Sequence, residues 1–260
     1  VDLLIFLTKG VGIGGNDVLG NYIIGNKFVV AYFHLFFMSI FISKHTESNS
    51  LTKIKIGFLL LLLYSIFVCY YLECSTGVVG SLVFGMVVIF SWQKREYVKL
   101  LNNPLTFAII FLGSTFLLVG TSILLNNPYI SNLFMKYSHT GKALSGRLEM
   151  FEITINAIKK RWLIGYGINC TIVEDTLTWG NPQNGLLKML LDYGIIGTII
   201  FLILCLKVLS GSNVKQNSQM ILRAYPFWAL AYGMAICSMV EICLNGFFFI
   251  ALAFLCMMYN

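Results

Sequence analysis

Ile56-Gly57-Phe58-Leu59-Leu60-Leu61-Leu62-Leu63-Tyr64-Ser65-Ile66-Phe67-Val68-Cys69-Tyr70-Tyr71-Leu72 contains no Asp, Glu, Lys, Arg or His. A stretch of this length and composition approaches the roughly 20 apolar residues that a helix needs to cross the hydrocarbon of a bilayer. Similar runs occupy 28–43, 78–92, 105–125, 186–209, 224–240 and 244–259. Where a run is short, tilt or a thin bilayer absorbs the mismatch. Over its 260 residues the chain is 58% hydrophobic and only 11% charged, and its mean hydropathy is +0.81. A soluble domain carries about 25% charged residues, so ordinary soluble, disordered, collagenous and disulfide-stapled classes are excluded. The expected fold is all-α: a polytopic integral membrane protein of about seven transmembrane helices, forming a single membrane domain over 1–260. The chain opens Val1-Asp2-Leu3 inside an apolar run, with no basic segment before it and no small-residue cleavage site. It therefore reads as cut within a further, N-terminal membrane helix rather than as a signal peptide.

The excess of 18 Lys and Arg over 11 Asp and Glu bears first on orientation. Lys44, Lys53 and Lys55 lie in one short connection, Lys94, Arg95 and Lys99 in a second, and Lys215 and Arg223 in a third. The connections at 73–77 and 241–243 carry no positive charge. Alternation places the three basic connections in the cytoplasm and the long connection 126–183 outside. That loop holds Lys136, Lys142, Arg147, Lys159, Lys160 and Arg161 against Glu149, Glu152, Glu174 and Asp175, six positives against four negatives. Long loops translocate regardless of charge, so these are either solvated residues or a site for an anionic ligand at the outer surface. Within the loop Leu148, Phe151, Ile155, Ile158 and Trp162 recur at three- and four-residue intervals opposite Glu149, Glu152, Asn156, Lys159 and Lys160. This is the pattern of an amphipathic helix lying at the headgroup level with Trp162 as anchor. Ser145-Gly146 marks its start and Gly165-Tyr166-Gly167 its stop. Asn181-Pro182-Gln183-Asn184 reads as a turn capping the next membrane helix, on which Asn184, Lys188 and Asp192 share a face.

Six of the seven cysteines (Cys69, Cys74, Cys205, Cys237, Cys243 and Cys256) lie in or beside apolar runs and read as small buried hydrophobes. Cys170 alone falls in a polar stretch, and the three histidines are scattered, so neither a disulfide framework nor a zinc site is expected. His34 reads as a core histidine without a partner rather than a proton relay. Gly10-Val11-Gly12-Ile13-Gly14-Gly15 matches a dinucleotide fingerprint letter for letter, but no strand precedes it and no acidic residue follows about 20 positions on, so it reads as a turn. Nothing repeats at a fixed period, and the connectors are too short for a separate domain.

Arg147 is the most informative cation. Its planar fork of donors suits a bidentate grip on phosphate at the start of the loop helix, whose own N–H groups favour an anion; a structural pairing with Glu149 or Glu241 is the other reading. Asp192 and Glu241 sit close to or inside apolar runs, where carboxylates face a cavity or a partner. Lys188 lies one helical turn from Asp192 and reads as its partner.

Ser145-Gly146-Arg147, Gly165-Tyr166-Gly167, Gln183-Asn184-Gly185-Leu186-Leu187 and Leu191-Asp192-Tyr193-Gly194-Ile195-Ile196-Gly197 resemble, in order and spacing, the outer-loop blocks of the O-antigen ligase and Wzy-type polysaccharide polymerase family. The likeness covers 136–201. In that family the loop carries S-G-R or T-G-R, then G-x-G after an amphipathic helix, then H-N-x-x-L and G-x-x-G. Cys74-Ser75-Thr76-Gly77, where the family often has S-R-T-G, and Glu241 near the last span are weaker likenesses. Gln183 stands where the family has His; it cannot act as a base but still hydrogen-bonds a sugar or phosphate. Ser75 stands where a second arginine is usual.

The resemblance implies transfer of an oligosaccharide from undecaprenyl pyrophosphate at the outer face of the bacterial plasma membrane, with no cofactor and no metal. Its partners would be that lipid-linked oligosaccharide, the bilayer and other polysaccharide-assembly membrane proteins; nucleic acid is not among them. Arg147 would stabilise the pyrophosphate leaving group, with Glu149, Glu152 and His139 as candidates to assist the attacking hydroxyl. Gln183, Asn184, Lys188, Lys142, Lys159, Lys160 and Arg161 would hold the substrate. Joining repeat units is the first reading and ligation to another acceptor the second. A glycolipid transporter or flippase would need broken helices with intramembrane charges in matching halves, and an inactive remnant would fit the abrupt start and Gln183.

Overall fold

The computed structural model describes residues 2–7, 22–45, 51–93, 100–101, 103–125, 141–168, 170–176, 181–210, 218–244 and 246–259. These form ten helices among the described residues: α1 (Asp2–Leu7), α2 (Lys27–His45), α3 (Leu51–Tyr71), α4 (Ser75–Gln93), α5 (Pro104–Leu125), α6 (Gly141–Lys160), α7 (Ile172–Thr176), α8 (Gly185–Ser210), α9 (Ser218–Cys237) and α10 (Gly246–Tyr259). The described residues are helical apart from short turns and connections, and each of the seven apolar runs falls largely on a helix, with the run 224–240 passing the end of α9 at Cys237 and that at 244–259 beginning just before α10. Four stretches are long and apolar enough to cross a membrane: Lys27–His45, Thr52–Tyr71, Ser75–Trp92 and Gly185–Leu209. Pro104–Leu117 and Gly246–Met258 are shorter apolar helices.

What lies on the outside of this bundle is as apolar as what lies within. Leu60, Leu63, Phe67, Phe116, Leu117 and Ile200 are all more than half exposed. An apolar surface of this extent is unstable in water and is covered by lipid in a membrane protein. The centre of the bundle is α9, on which every residue from 224 to 235 is buried. It packs against α2, α4, α5 and α10. Ala224, Ala229, Ala231, Gly233 and Ala235 supply the small surfaces that let neighbours approach closely. A Cβ on Gly233 would lie 3.7 Å from Gly80 O, and one on Gly80 would lie 3.0 Å from Cys237 Sγ. Trp228, Tyr225 and Tyr232 fill the gaps on the same helix. Several buried hydroxyls are paired: Trp92 Nε1 donates to Tyr225 Oη (2.7 Å), Tyr232 Oη donates to Leu101 O (2.9 Å), and Ser65 and Ser81 bond across α3 and α4 (3.0 Å); Thr115 Oγ1 on α5 is buried without a partner.

Several expectations are corrected. Five of the six apolar-run cysteines are buried, but Cys256 is exposed, because α10 turns that edge away from the bundle. His34 is not partnerless: its Nε2 lies 3.3 Å from Asp2 Oδ1, Tyr64 Oη donates to Asp2 Oδ2 (3.0 Å), and the Tyr64 and His34 rings stack at 5.9 Å. The loop helix starts at Gly141, before Ser145-Gly146, so the backbone N–H of Arg147 lies inside the helix rather than among its free first-turn donors. Its buried side is also rotated from the expected stripe. Met150, Phe151, Thr154 and Ala157 are buried, Ile155 and Ile158 are half-buried, and Trp162 lies beyond the helix end at 54% exposure. The reason is tertiary: α6 packs on α5, α7 and α8, and the protein, not the headgroup region, takes its apolar face.

Candidate functional site

The glycine blocks of the sequence meet at a break in α8. Gly194 has φ 64° and ψ −170°, a conformation that interrupts the helix and divides it into 185–193 and 195–210. A break leaves carbonyls unsatisfied at the end of the first half and N–H groups unsatisfied at the start of the second. In an apolar surrounding each would be costly unless a neighbour supplies partners. The segment that follows α6 supplies both. Tyr166 N donates to Leu191 O and Gly167 N to Asp192 O, each at 2.8 Å; Ile195 N donates to Trp162 O (2.8 Å) and Ile196 N to Leu163 O (3.2 Å). The two strands of chain approach so closely that neither admits a side chain at the crossing. A Cβ on Gly165 would lie 2.5 Å from Asp192 O, and one on Gly194 would collide with Leu163 O. Gly165 also has φ +68°, and Gly167 φ +93°, conformations that glycine adopts at no steric cost.

The first half of α8 is a platform between this crossing and the end of α9. Asn184 is its N-cap: Oδ1 accepts from Leu187 N (2.9 Å), while Nδ2 donates to Met239 O (2.9 Å). Gly185 N donates to Ser238 O (2.6 Å), and a Cβ on Gly185 would lie 2.9 Å from that of Ser238. Asn184 is fully buried, so it positions this turn rather than offering its amide to a ligand. Gln183, at φ 40°, is half-buried beside it, its N–H bonded to Asn181 Oδ1 (2.8 Å). Lys188 Nζ lies 3.0 Å from Asp192 Oδ1 and 3.5 Å from Cys170 O. Asp192 is buried, and Lys188 spans from it to the backbone at Cys170. On the other side Ala157, Val173 and Leu191 form a small core, joined by Ile153, Ile158, Tyr166 and Ile172. Tyr166 Oη donates to Ala157 O (3.1 Å), tying the crossing to α6.

The cations and carboxylates of the loop take separate places. Lys142 and Arg147 belong to the first two turns of α6, where the description covers the backbone alone. His139 and the glycines of 10–15 lie outside the described residues. Glu149 and Glu152 are exposed, away from the buried side. Lys159 and Lys160 close α6, where positive charge offsets the negative end of the helix dipole. Arg161 follows with its guanidinium 5.0 Å from the Tyr166 ring centre. The structure thus brings together Gln183, Asn184, Lys188 and Asp192 on one platform, and Lys159, Lys160 and Arg161 at the adjoining end of α6. It does not join Glu149 or Glu152 to either group.

Sequence reasoning did not single out Ser238 and Met239, whose carbonyls anchor Asn184 and Gly185, or the Cys170 carbonyl that meets Lys188. A backbone carbonyl leaves no mark in a sequence, so no pattern could have found them. Cys74-Ser75-Thr76-Gly77 reaches the same end of α9, where Cys237 Sγ donates to Thr76 O (3.5 Å). There Tyr32 Oη and Cys243 Sγ lie 3.0 Å apart.

Comparison with known proteins adds a family to this geometry. No curated protein and no solved structure matches the chain. The O-antigen ligase family model matches residues 60–202, more than half of the chain. That span begins in α3 and takes in α6, the crossing and the platform, with the chain running past Gly194 into the second half of α8. Family membership carries with it glycan transfer at the membrane and a lipid-linked oligosaccharide as substrate. On the strength of that match and of the membrane helices that frame it, the chain belongs to the O-antigen ligase family.

Proposed function

We propose that the chain joins oligosaccharide repeat units, carried on undecaprenyl pyrophosphate, into a surface polysaccharide at the outer face of the plasma membrane. All seven apolar helices would cross the bilayer, with 126–183 outside. The observation that carries this reading is that the family match coincides with the basic loop helix and the crossing that anchors it to α8. In the reaction a hydroxyl of the acceptor sugar attacks the anomeric carbon of the donor. The bond from that carbon to the pyrophosphate oxygen breaks, undecaprenyl pyrophosphate departs with the bonding electrons, and the hydroxyl proton passes to a base. Arg147 stabilises the charge that builds on the pyrophosphate, a contribution that is large when the donor is held in place beforehand. Glu149, Glu152 and His139 are the candidates for the base, and Gln183, Lys142, Lys159, Lys160 and Arg161 for holding the glycan and its phosphates. Lys188 and Asn184 act through the platform, by position.

Ligation to another acceptor is the second reading, favoured by the description of the matching family. A transporter is less well supported: four of the backbone groups freed at the break in α8, Leu191 O, Asp192 O, Ile195 N and Ile196 N, are bonded within the protein. The size profile of surface and lipid-linked glycan, in a deletion strain complemented with the gene or its Arg147→Ala form, tests the proposal. Single repeat units in place of long chains, with normal membrane levels of the variant, are expected. Long lipid-linked chains left unattached would select the ligase reading instead, and normal chain lengths with Arg147→Ala would refute the role of Arg147.

A further inference from the structure

The crossing fixes more than the break in α8. Past Gly194, Ile195, Ile196, Ile199, Ile200, Ile203 and Leu204 are exposed along one side of the helix, the repeat of a face turned to lipid. The N–H groups of Ile195 and Ile196, at the top of that face, are bonded to Trp162 O and Leu163 O. The turn after α6 is therefore held at the depth where the lipid-facing surface of α8 begins. Trp162 and Leu163 are about half exposed there, and Ile164 and Ile168 are each 71% exposed. Immediately before them stand Lys159, Lys160 and Arg161, all exposed. An apolar patch edged by consecutive cations, at the level where a span leaves the membrane, matches the boundary between acyl chains and headgroup phosphates.

We propose that residues 159–168 form an interfacial lipid site: Trp162, Leu163, Ile164 and Ile168 enter the upper acyl region, and Lys159, Lys160 and Arg161 bind the phosphates of anionic phospholipids. The anchor is this turn, not the face of α6, and it sets the height of α6 above the bilayer through four backbone hydrogen bonds. Two observations favour lipid as the occupant. The patch adjoins the lipid-facing side of α8 where Trp162 and Leu163 bond to Ile195 and Ile196, and the three cations complement a phosphate-bearing surface. The inference rests on the membrane placement of α8, and it gives Lys159, Lys160 and Arg161 a phospholipid phosphate as ligand, the same chemistry as the donor phosphates for which they are candidates above.

The full chain is reconstituted in vesicles of phosphatidylcholine, with and without phosphatidylglycerol, and the emission lost on Trp162→Phe is taken as the signal of Trp162. That signal is expected to be quenched by phosphatidylcholine brominated high on its acyl chains and protected from aqueous iodide. Neutralising Lys159, Lys160 and Arg161 to Gln is expected to lower the enrichment of phosphatidylglycerol around the protein, by about fivefold for each residue neutralised. Quenching by iodide alone, or by neither agent because protein covers the indole, would overturn the proposal. So would an unchanged phosphatidylglycerol enrichment in the Gln variants. Ile200→Trp in the Trp162→Phe background separates this failure from that of the membrane reading, since a reporter at Ile200 is quenched by deeply brominated lipid wherever α8 spans the bilayer.

Discussion

Replacing Gly165 by alanine adds one methyl group at the tightest point of the crossing. It would lie 2.5 Å from Asp192 O and 2.6 Å from Gly194 N, so the two segments have to part. Alanine at φ +68° costs about 1–2 kcal/mol by itself. Parting them weakens the bonds from Tyr166 N to Leu191 O and from Gly167 N to Asp192 O, each worth about 0.5–1.5 kcal/mol and more when the freed group stays buried. The sum is roughly 2–5 kcal/mol of local stability. Since every 1.4 kcal/mol is a factor of ten, amide exchange at Tyr166, Gly167, Ile195 and Ile196 should accelerate by roughly thirtyfold or more in the Gly165→Ala protein. Hydrogen–deuterium exchange followed by mass spectrometry on the solubilised chain measures this directly. Gly113→Ala is the control, because no atom lies within 4 Å of a Cβ there. Gly165→Asn separates two causes: asparagine tolerates positive φ but still carries a Cβ. Unchanged protection in Gly165→Ala, or full protection in Gly165→Asn, would refute the steric argument.

Lys188→Met should leave the buried Asp192 carboxylate without its cation and destabilise the protein by about 3–5 kcal/mol, while Lys188→Met with Asp192→Leu should recover most of that; denaturant midpoints of the three proteins check it, and an additive double variant would count against the pair. Asn184→Ala should lose both the cap and the Met239 bond, about 1–2 kcal/mol, whereas Asn184→Asp keeps the cap oxygen but sets a second acceptor, buried and charged, against Met239 O, and should lose at least as much in the same assay. Tyr166→Phe removes only the hydroxyl bond to Ala157 O, about 1 kcal/mol, and should leave amide protection at the crossing in place; Tyr166→Ala, which also empties a place in the small core, should not.

Composition and local spacing along the chain determined a great deal here. A chain with 11% charged residues and repeated apolar runs has to be a bundle of membrane helices, because no water-soluble fold hides that much apolar surface. The Asn184 cap and the Lys188–Asp192 pair were legible for the same reason: their partners lie three and four residues away. The amphipathic loop helix was legible as a helix, but not which of its sides is buried, since Met150, Thr154 and Ala157 are selected by α5, α7 and α8 rather than by hydropathy alone. His34 looked unpartnered because Asp2 is 32 residues distant. Above all, the glycine blocks could be seen but not understood. Gly165 and Gly194 are required because two segments about thirty residues apart exchange backbone hydrogen bonds across a broken helix, and that requirement exists only once the chain has folded back on itself. A residue's own conformational preferences are written locally, but which backbone groups go unsatisfied, and what comes to meet them, is decided by the tertiary structure.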